Sequence, residues 1–379
     1  MRRLQAQHSR ICFGLVSTAI VFFFLGGLQA ISAGPIYSVQ IIGALGPGTS
    51  SVTAINKAGI GVGFITDSSG NQIPVTFNGQ TTVLPGMGQA NAINDSGTII
   101  GTTYSNGSPK VTEWTKGQTV NTGITGYGTS INNAGQIVGG YTTAAGQSNA
   151  FVWDNGSLVN LGTLNGGVWS SANAINASGQ IVGTSLTAAG VFTAFFSNGS
   201  GMSSLCPSCP SNSYANSISG GGVAVGSFVD SDGYLHAAEY GDGSAVDLGT
   251  LGGSQSAAYG IDDAGDIVGY SYIANNTATH AFLYANNVMV DLNDLLPIAS
   301  GWTITAAYGI NSSGEIIGQG TLDGQTYAII LASTAKDNDA RSAIVPLAVP
   351  EPGPFILTAG GLALLGTRVW RRQRVKAQA

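Results

Sequence analysis

Few side chains in this chain of 379 residues carry chemistry beyond hydrogen bonding. Cys206 and Cys209 stand in Cys-Pro-Ser-Cys, close enough for a small-loop disulfide. A thioredoxin-type redox pair needs a strand-to-helix setting that the sequence lacks, and zinc needs more ligands than two thiols. Asp230 and Asp232, in Asp-Ser-Asp-Gly, have the spacing of half a calcium loop, and the same residues also read as a polar turn. Calcium is thus the one ion left open, and no other cofactor is implied. His236 and His280 fall at matching points of a repeat where other copies carry Asn or Thr, so they read as polar strand positions before they read as ligands. There is no G-x-S-x-G elbow, no H-E-x-x-H and no phosphate-binding loop, so no catalytic residue is assigned. Tyr127, Trp169 and Trp302, with Met87, lie in segments of variable length. Flat aromatic faces beside polar groups can stack on sugar rings, and the same rings can instead pack the junctions between repeats.

Charge narrows the partners. Charged residues are only 8% of the chain, against roughly 25% in an ordinary soluble domain. Between residues 35 and 334, Lys57, Lys110 and Lys116 face sixteen acids, a net charge of −13. Such a body is not built to neutralise phosphates, so nucleic acid is not an expected partner.

These residues must be positioned by a repeat. The stretch NAINASGQIVGTS (173–185) recurs as NAINDSGTIIGTT (91–103), TSINNAGQIVGGY (129–141), YGIDDAGDIVGYS (259–271) and YGINSSGEIIGQG (308–320). Seven anchors follow, at Ile55, Ile93, Ile131, Ile175, Ile218, Ile261 and Ile310, spaced by 38, 38, 44, 43, 43 and 49 residues. A period near 40–45 with short aliphatic and aromatic runs suggests propeller blades of four strands. Within one unit the strands are SANAIN, GQIVGTS, FTAFF (192–196) and GMSSL (201–205). Asn-x-x-Gly is turn chemistry: Asn176 caps the turn and Gly179 takes the positive φ. Asn155-Gly156, Asn198-Gly199 and Asp242-Gly243 are hairpin signals. The segment IYSVQIIGALGPG (36–48) matches a fourth strand, and the last unit ends on its third strand, TYAIILAS (326–333). The expected fold is therefore an all-β, seven-bladed β-propeller of four-stranded blades, with an N-terminal strand closing the last blade.

The ends are different. Residues 1–33 begin MRRLQAQHSR and continue through an apolar run to QAISAG, which is the layout of a cleaved signal peptide; the alternative is an uncleaved anchor. The propeller body is expected over 34–334 and a linker over 335–348. Residues 349–379 hold Pro350-Glu351-Pro352, an apolar run of about 13 residues, and a basic cluster from Arg368 to Lys376. A terminal signal helix and a C-terminal hydrophobic helix are expected. The tail closely resembles the PEP-CTERM sorting signal of Gram-negative bacteria. That resemblance implies recognition of Pro350, Glu351 and Pro352 by an exosortase, a membrane protease that removes the tail; an ordinary C-terminal membrane anchor is the alternative. The repeats resemble the extracellular HAF-repeat family, named for His-Ala-Phe, which stands intact here only at His280-Ala281-Phe282. That resemblance implies an exported repeat protein and carries no catalytic residues.

The expected role is non-catalytic: a binding or structural protein, secreted or at the cell surface, held in the inner membrane only before processing, with polysaccharide as a partner. The rival is a propeller enzyme acting on glycans, a hydrolase or lyase, which would need two or three clustered carboxylates. If the tail is a sorting signal, Glu351→Ala should leave the unprocessed form in the membrane of the native host; an unchanged mature mass and location would sink that reading.

Overall fold

The computed structural model describes residues 37–42 and 49–333. The expected terminal helices, and Pro350, Glu351 and Pro352, lie outside the described residues. Among the described residues there are strands, turns and three short 3-10 segments, and no helix is long and apolar enough to cross a membrane.

Each repeat folds because its strands alternate or run apolar between turn residues that end them. In the unit around Asn176, Trp169–Ile175, Ile181–Leu186 and Phe192–Ser197 form an antiparallel meander, and a two-residue strand, Ser203–Ser204, pairs on its outer edge. The Asn176 side chain accepts the N–H groups of Ser178 and Gln180, and Gly179, at φ +77°, donates back to the Asn176 carbonyl. In the preceding repeat the outer hairpin turns at Asn155-Gly156, where both residues have positive φ, the conformation a two-residue turn between twisted strands requires.

The small sheets take a β-propeller arrangement, with a correction to the blade count. Four blades stand as four-stranded sheets, not seven. The strands from Gly88 to Ser204 run together as one eleven-stranded sheet. The reason is local. Gln118–Ile131 is a single strand of 14 residues that pairs with Ser108–Thr115 through its first part and with Ile137–Thr142 through its second. The link between those repeats is only TGITG (122–126), and its backbone stays hydrogen-bonded instead of reversing. Farther on, a parallel bridge between Ser148 and Trp169 joins the next repeat.

The core lies between successive sheets. Val182 and Ala194 of one unit pack with Ala215, Ala224 and Ala238 of the next. Phe151, Phe195 and Phe282, at the Phe position of the His-Ala-Phe motif, are fully buried, as are the alanines before them. Tyr37–Ile41 pairs antiparallel along Gln325–Ser333, so the N-terminal strand supplies the fourth strand of the final sheet. Tyr37 is 1% exposed and packs with Ile304, Ile316, Ile329 and Leu331.

Burying Tyr37 and the partly buried Val39 against that sheet is worth about 3–5 kcal/mol at the usual value for apolar burial. A chain beginning at Ser50 should therefore melt roughly 5–15 °C lower than one beginning at Pro35, and should aggregate through its bare edge. Thermal unfolding and gel filtration of the two check this; equal melting would show that the strand is dispensable.

Candidate functional site

The innermost strand of every repeat breaks register near its turn-face end, and the last two break a second time farther back. The turn-face break leaves one residue unpaired, and that residue is Thr53, Asn91, Thr129, Asn173, Asn216, Tyr259 or Tyr308. The cause is the glycine of Ile-Val-Gly on the second strand. A Cβ on Gly183 would come under 3.0 Å of the Ser171 carbonyl oxygen, and one on Gly226 would meet Tyr214 in the same way; Gly63, Gly101, Gly139, Gly269 and Gly318 repeat the geometry. Only a residue without a side chain lets the bulged backbone approach so closely. A lone glycine inside a strand pattern is itself a bulge signal, and it could have been read from the sequence.

The bulges put seven side chains on the axis, where most of them join one repeat to the next. Thr53 donates to the Ala90 carbonyl (2.8 Å), Asn91 to Gly128 (2.7 Å), Thr129 to Ala172 (2.8 Å), Asn173 to Ala215 (2.8 Å) and Asn216 to Ala258 (2.8 Å). The Tyr259 and Tyr308 rings lie 5.9 Å apart instead. Burial, then its tyrosine neighbours, push the Tyr259 phenol up to about 12. A second belt is made by the turn asparagines. Asn56, Asn94, Asn132 and Asn176 each donate Nδ2 to the carbonyl of the matching residue in the next repeat, at 3.0–3.2 Å. Asn311 donates to the Asn56 carbonyl at 2.9 Å, which joins the last repeat to the first across 255 residues of sequence. Ser219 and Asp262, at the remaining positions, have no amide with which to continue it.

Turns and loops fall on opposite faces. On the loop face Trp169 meets Phe192 edge-on with centroids 6.0 Å apart, and Phe192 meets Tyr214 at 5.8 Å with the planes 32° apart. These partly exposed rings form a ladder across two repeats, beside Val168, which is 56% exposed. Tyr127, 51% exposed, lies on the same face, and so does Met87. Trp302 is elsewhere: it packs on Tyr327 at 5.6 Å and against the core between the last two sheets.

Asp230 accepts the N–H groups of Asp232 and Tyr234, as Asp67 accepts those of Ser69 and Asn71 in the corresponding turn of the first repeat. Those backbone bonds, led by Tyr234, hold the Asp230 carboxyl below its ordinary range. Asp232 is exposed in the turn. Among the described residues no three His, Cys, Asp or Glu side chains converge as metal ligands. His236 pairs with Asp247 (2.7 Å) and stands 3.7 Å from Asp230 on its other nitrogen, while His280 pairs with Asp291 (2.5 Å). Asn149 pairs with Asn160 in the same cross-strand way, so the His of the motif clamps the third strand to the fourth. Cys206 and Cys209 are disulfide-bonded, and their loop seats on the next repeat through Ser208, which donates to the Gly243 carbonyl.

A groove of about 680 Å³ sits on the turn face, between Asp154 and Asn155 of one repeat and Ser178 and Asn198 of the next. Two smaller recesses lie on the axis, one of about 240 Å³ at the turn-face mouth beside Lys57, Asp95 and Asp263, and one of about 190 Å³ at the level of the bulges. Hydrogen bonds from the Asn133 side chain and the Lys57 N–H hold Asp95 below its ordinary range.

No family model matches the chain, and no curated protein matches it. Solved structures do. A puromycin-hydrolysing peptidase of Mycobacterium tuberculosis is 10% identical over 76% of this chain and 52% of its own, with a TM-score of 0.52. The β-propeller domain of the Trilobed protease from Pyrococcus furiosus is 7% identical over 77% and 97%, with a TM-score of 0.49. TolB from Acinetobacter baumannii is 13% identical over 73% and 64%, with a TM-score of 0.41. This chain spans about half of the peptidase and just under two thirds of TolB. At these identities the likeness concerns the fold alone.

If the glycine creates the bulge, Gly183→Ala should cost about 1–3 kcal/mol or more by overpacking, whereas Gly190→Ala, in an exposed turn with open space around it, should cost less despite its positive φ. Denaturant unfolding of the two variants measures the difference, and equal losses would separate the glycine from the bulge.

Proposed function

We propose that this is an exported, non-catalytic binding protein of the cell surface or a polysaccharide matrix, and that its loop face contacts glycan chains. The observation that carries the reading is the Trp169–Phe192–Tyr214 ladder: partly exposed rings from two repeats, on the face that also carries the exposed Tyr127, in a body whose few cations are Lys57, Lys110 and Lys116. Rings in that setting offer a pyranose an apolar face and hydrogen-bond partners at once. A body of net charge −13 has little attraction for phosphate polymers. Export is supported by the signal-peptide layout of residues 1–33 and by a disulfide, which persists in oxidising compartments. The sorting step belongs to an exosortase-like protease acting at Pro350-Glu351-Pro352, with the tail as a transient membrane anchor.

The full-length chain, kept in a polyoxyethylene detergent that carries no sugar, should bind at least one polymer in a panel of neutral and acidic polysaccharides. Trp169→Ala should weaken that binding about tenfold, which corresponds to ~1.4 kcal/mol, with little change in melting temperature. Full affinity in the variant, or no binding across the panel, would remove the glycan reading.

A further inference from the structure

We propose that the axial recess at the level of the bulges is a binding pocket for a single neutral sugar residue, the end of a chain lying along the loop face. The choice of ligand rests on the glycan reading above; the pocket rests on its own geometry. The recess of about 190 Å³ is lined by the bulge residues and by small neighbours, and not one lining residue is charged. Its polar groups are fixed in place before any ligand arrives. Asn173 and Asn216 each spend one amide N–H on the next repeat's carbonyl, at 2.8 Å, which sets the plane of the amide. Their Oδ1 atoms carry no bond among the described residues and are not buried, so they are left to the recess. Thr53 and Thr129 are held by bonds of the same kind. Pre-set donors and acceptors bind with less loss of side-chain freedom than mobile ones.

The next two bulge positions around the axis are aromatic. Tyr259 and Tyr308 present rings 5.9 Å apart, and the Tyr308 hydroxyl donates to Gln319 at 3.2 Å. Amides, hydroxyls and aromatic rings, without charge, suit a polyhydroxylated neutral ring and offer an ion nothing to offset its loss of water. The volume is below the roughly 300 Å³ at which drug-sized pockets begin, which limits the occupant to one residue. Ile55, Ile261 and Ile310 line both this recess and the one at the turn-face mouth, while Lys57, Asp95 and Asp263 line only the latter. The pocket also connects to the ladder. Tyr214, its last ring, lies two residues before Asn216 on the strand Ser213–Ile218.

The test uses the full-length chain in the same sugar-free detergent and, as probes, the methyl glycosides of glucose, galactose, mannose and N-acetylglucosamine, with methyl glucuronoside as the charged comparison. Saturation-transfer NMR and calorimetry should show one site for at least one neutral glycoside and at least tenfold weaker binding of the glucuronoside. Tyr259→Ala should weaken the neutral glycoside tenfold or more. Tyr308→Phe, which keeps the ring and removes only the hydroxyl, should weaken it about threefold and serves if the alanine variant does not fold. Polymer binding without glycoside binding would overturn the pocket and leave the loop-face reading standing. Glycoside binding without polymer binding would support the pocket and remove the loop-face reading. Equal affinity for the glucuronoside, or glycoside affinity untouched in Tyr308→Phe and in a folded Tyr259→Ala, would also overturn it.

Discussion

The side-chain amide of the turn asparagine is bonded in two directions, and the ring depends on both. Its oxygen closes the turn of its own repeat, and its nitrogen holds the carbonyl of the next. These groups are about 5% exposed, so an unmade bond there would carry the full penalty of a buried polar group, about 1–3 kcal/mol. Turn geometry and repeat-to-repeat geometry are therefore set by one residue. A change that loosened the turn would also loosen the junction. The bond from Asn311 to Asn56 makes the last repeat a neighbour of the first through the same contact that joins the first five repeats in series.

The bulge adds a second level of the same logic. The Ile-Val-Gly glycine admits the neighbouring carbonyl, the carbonyl forces one residue out of register, and that residue reaches the axis. Because the extruded residue pairs with no strand partner, its side chain can vary where the backbone cannot: Thr, Asn and Tyr all occupy it. The scaffold holds the backbone fixed and leaves seven axial side chains to determine what the axis is lined with. Five of them were used to tie repeats together, and two tyrosines form an aromatic wall.

Much of this was legible in the chain because the repeat registers local chemistry. Asn-x-x-Gly turns, Asn-Gly hairpins and the strand content of a unit follow from φ preferences and side-chain alternation, which neighbouring residues set. The N-terminal strand could be matched to the missing fourth strand of the last unit because the two have the same pattern, and Tyr37–Ile41 pairs there. The disulfide between Cys206 and Cys209 needed only a short loop. The blade count was not legible, since nothing in TGITG announces that a 14-residue strand continues through it. Trp302 and Trp169 look alike in sequence, and only packing separates a ring seated against the core from a ring in an open ladder.

The sequence by itself determined the repeat, its turns, the all-β class and the low, acidic charge of the body, because each of these depends on residue type and on neighbours within a few positions. Tertiary structure decided what the repeats do to one another. That Asn173 reaches Ala215, 42 residues on, and that Tyr259 faces Tyr308 follow from the angle at which successive sheets meet. The histidines of the body acquired their meaning in the same way: His236 and His280 became clamps only when antiparallel pairing set Asp247 and Asp291 opposite them. An axial pocket has no residue run of its own in the sequence. It is assembled from one position in each repeat, and it exists only once the ring is closed.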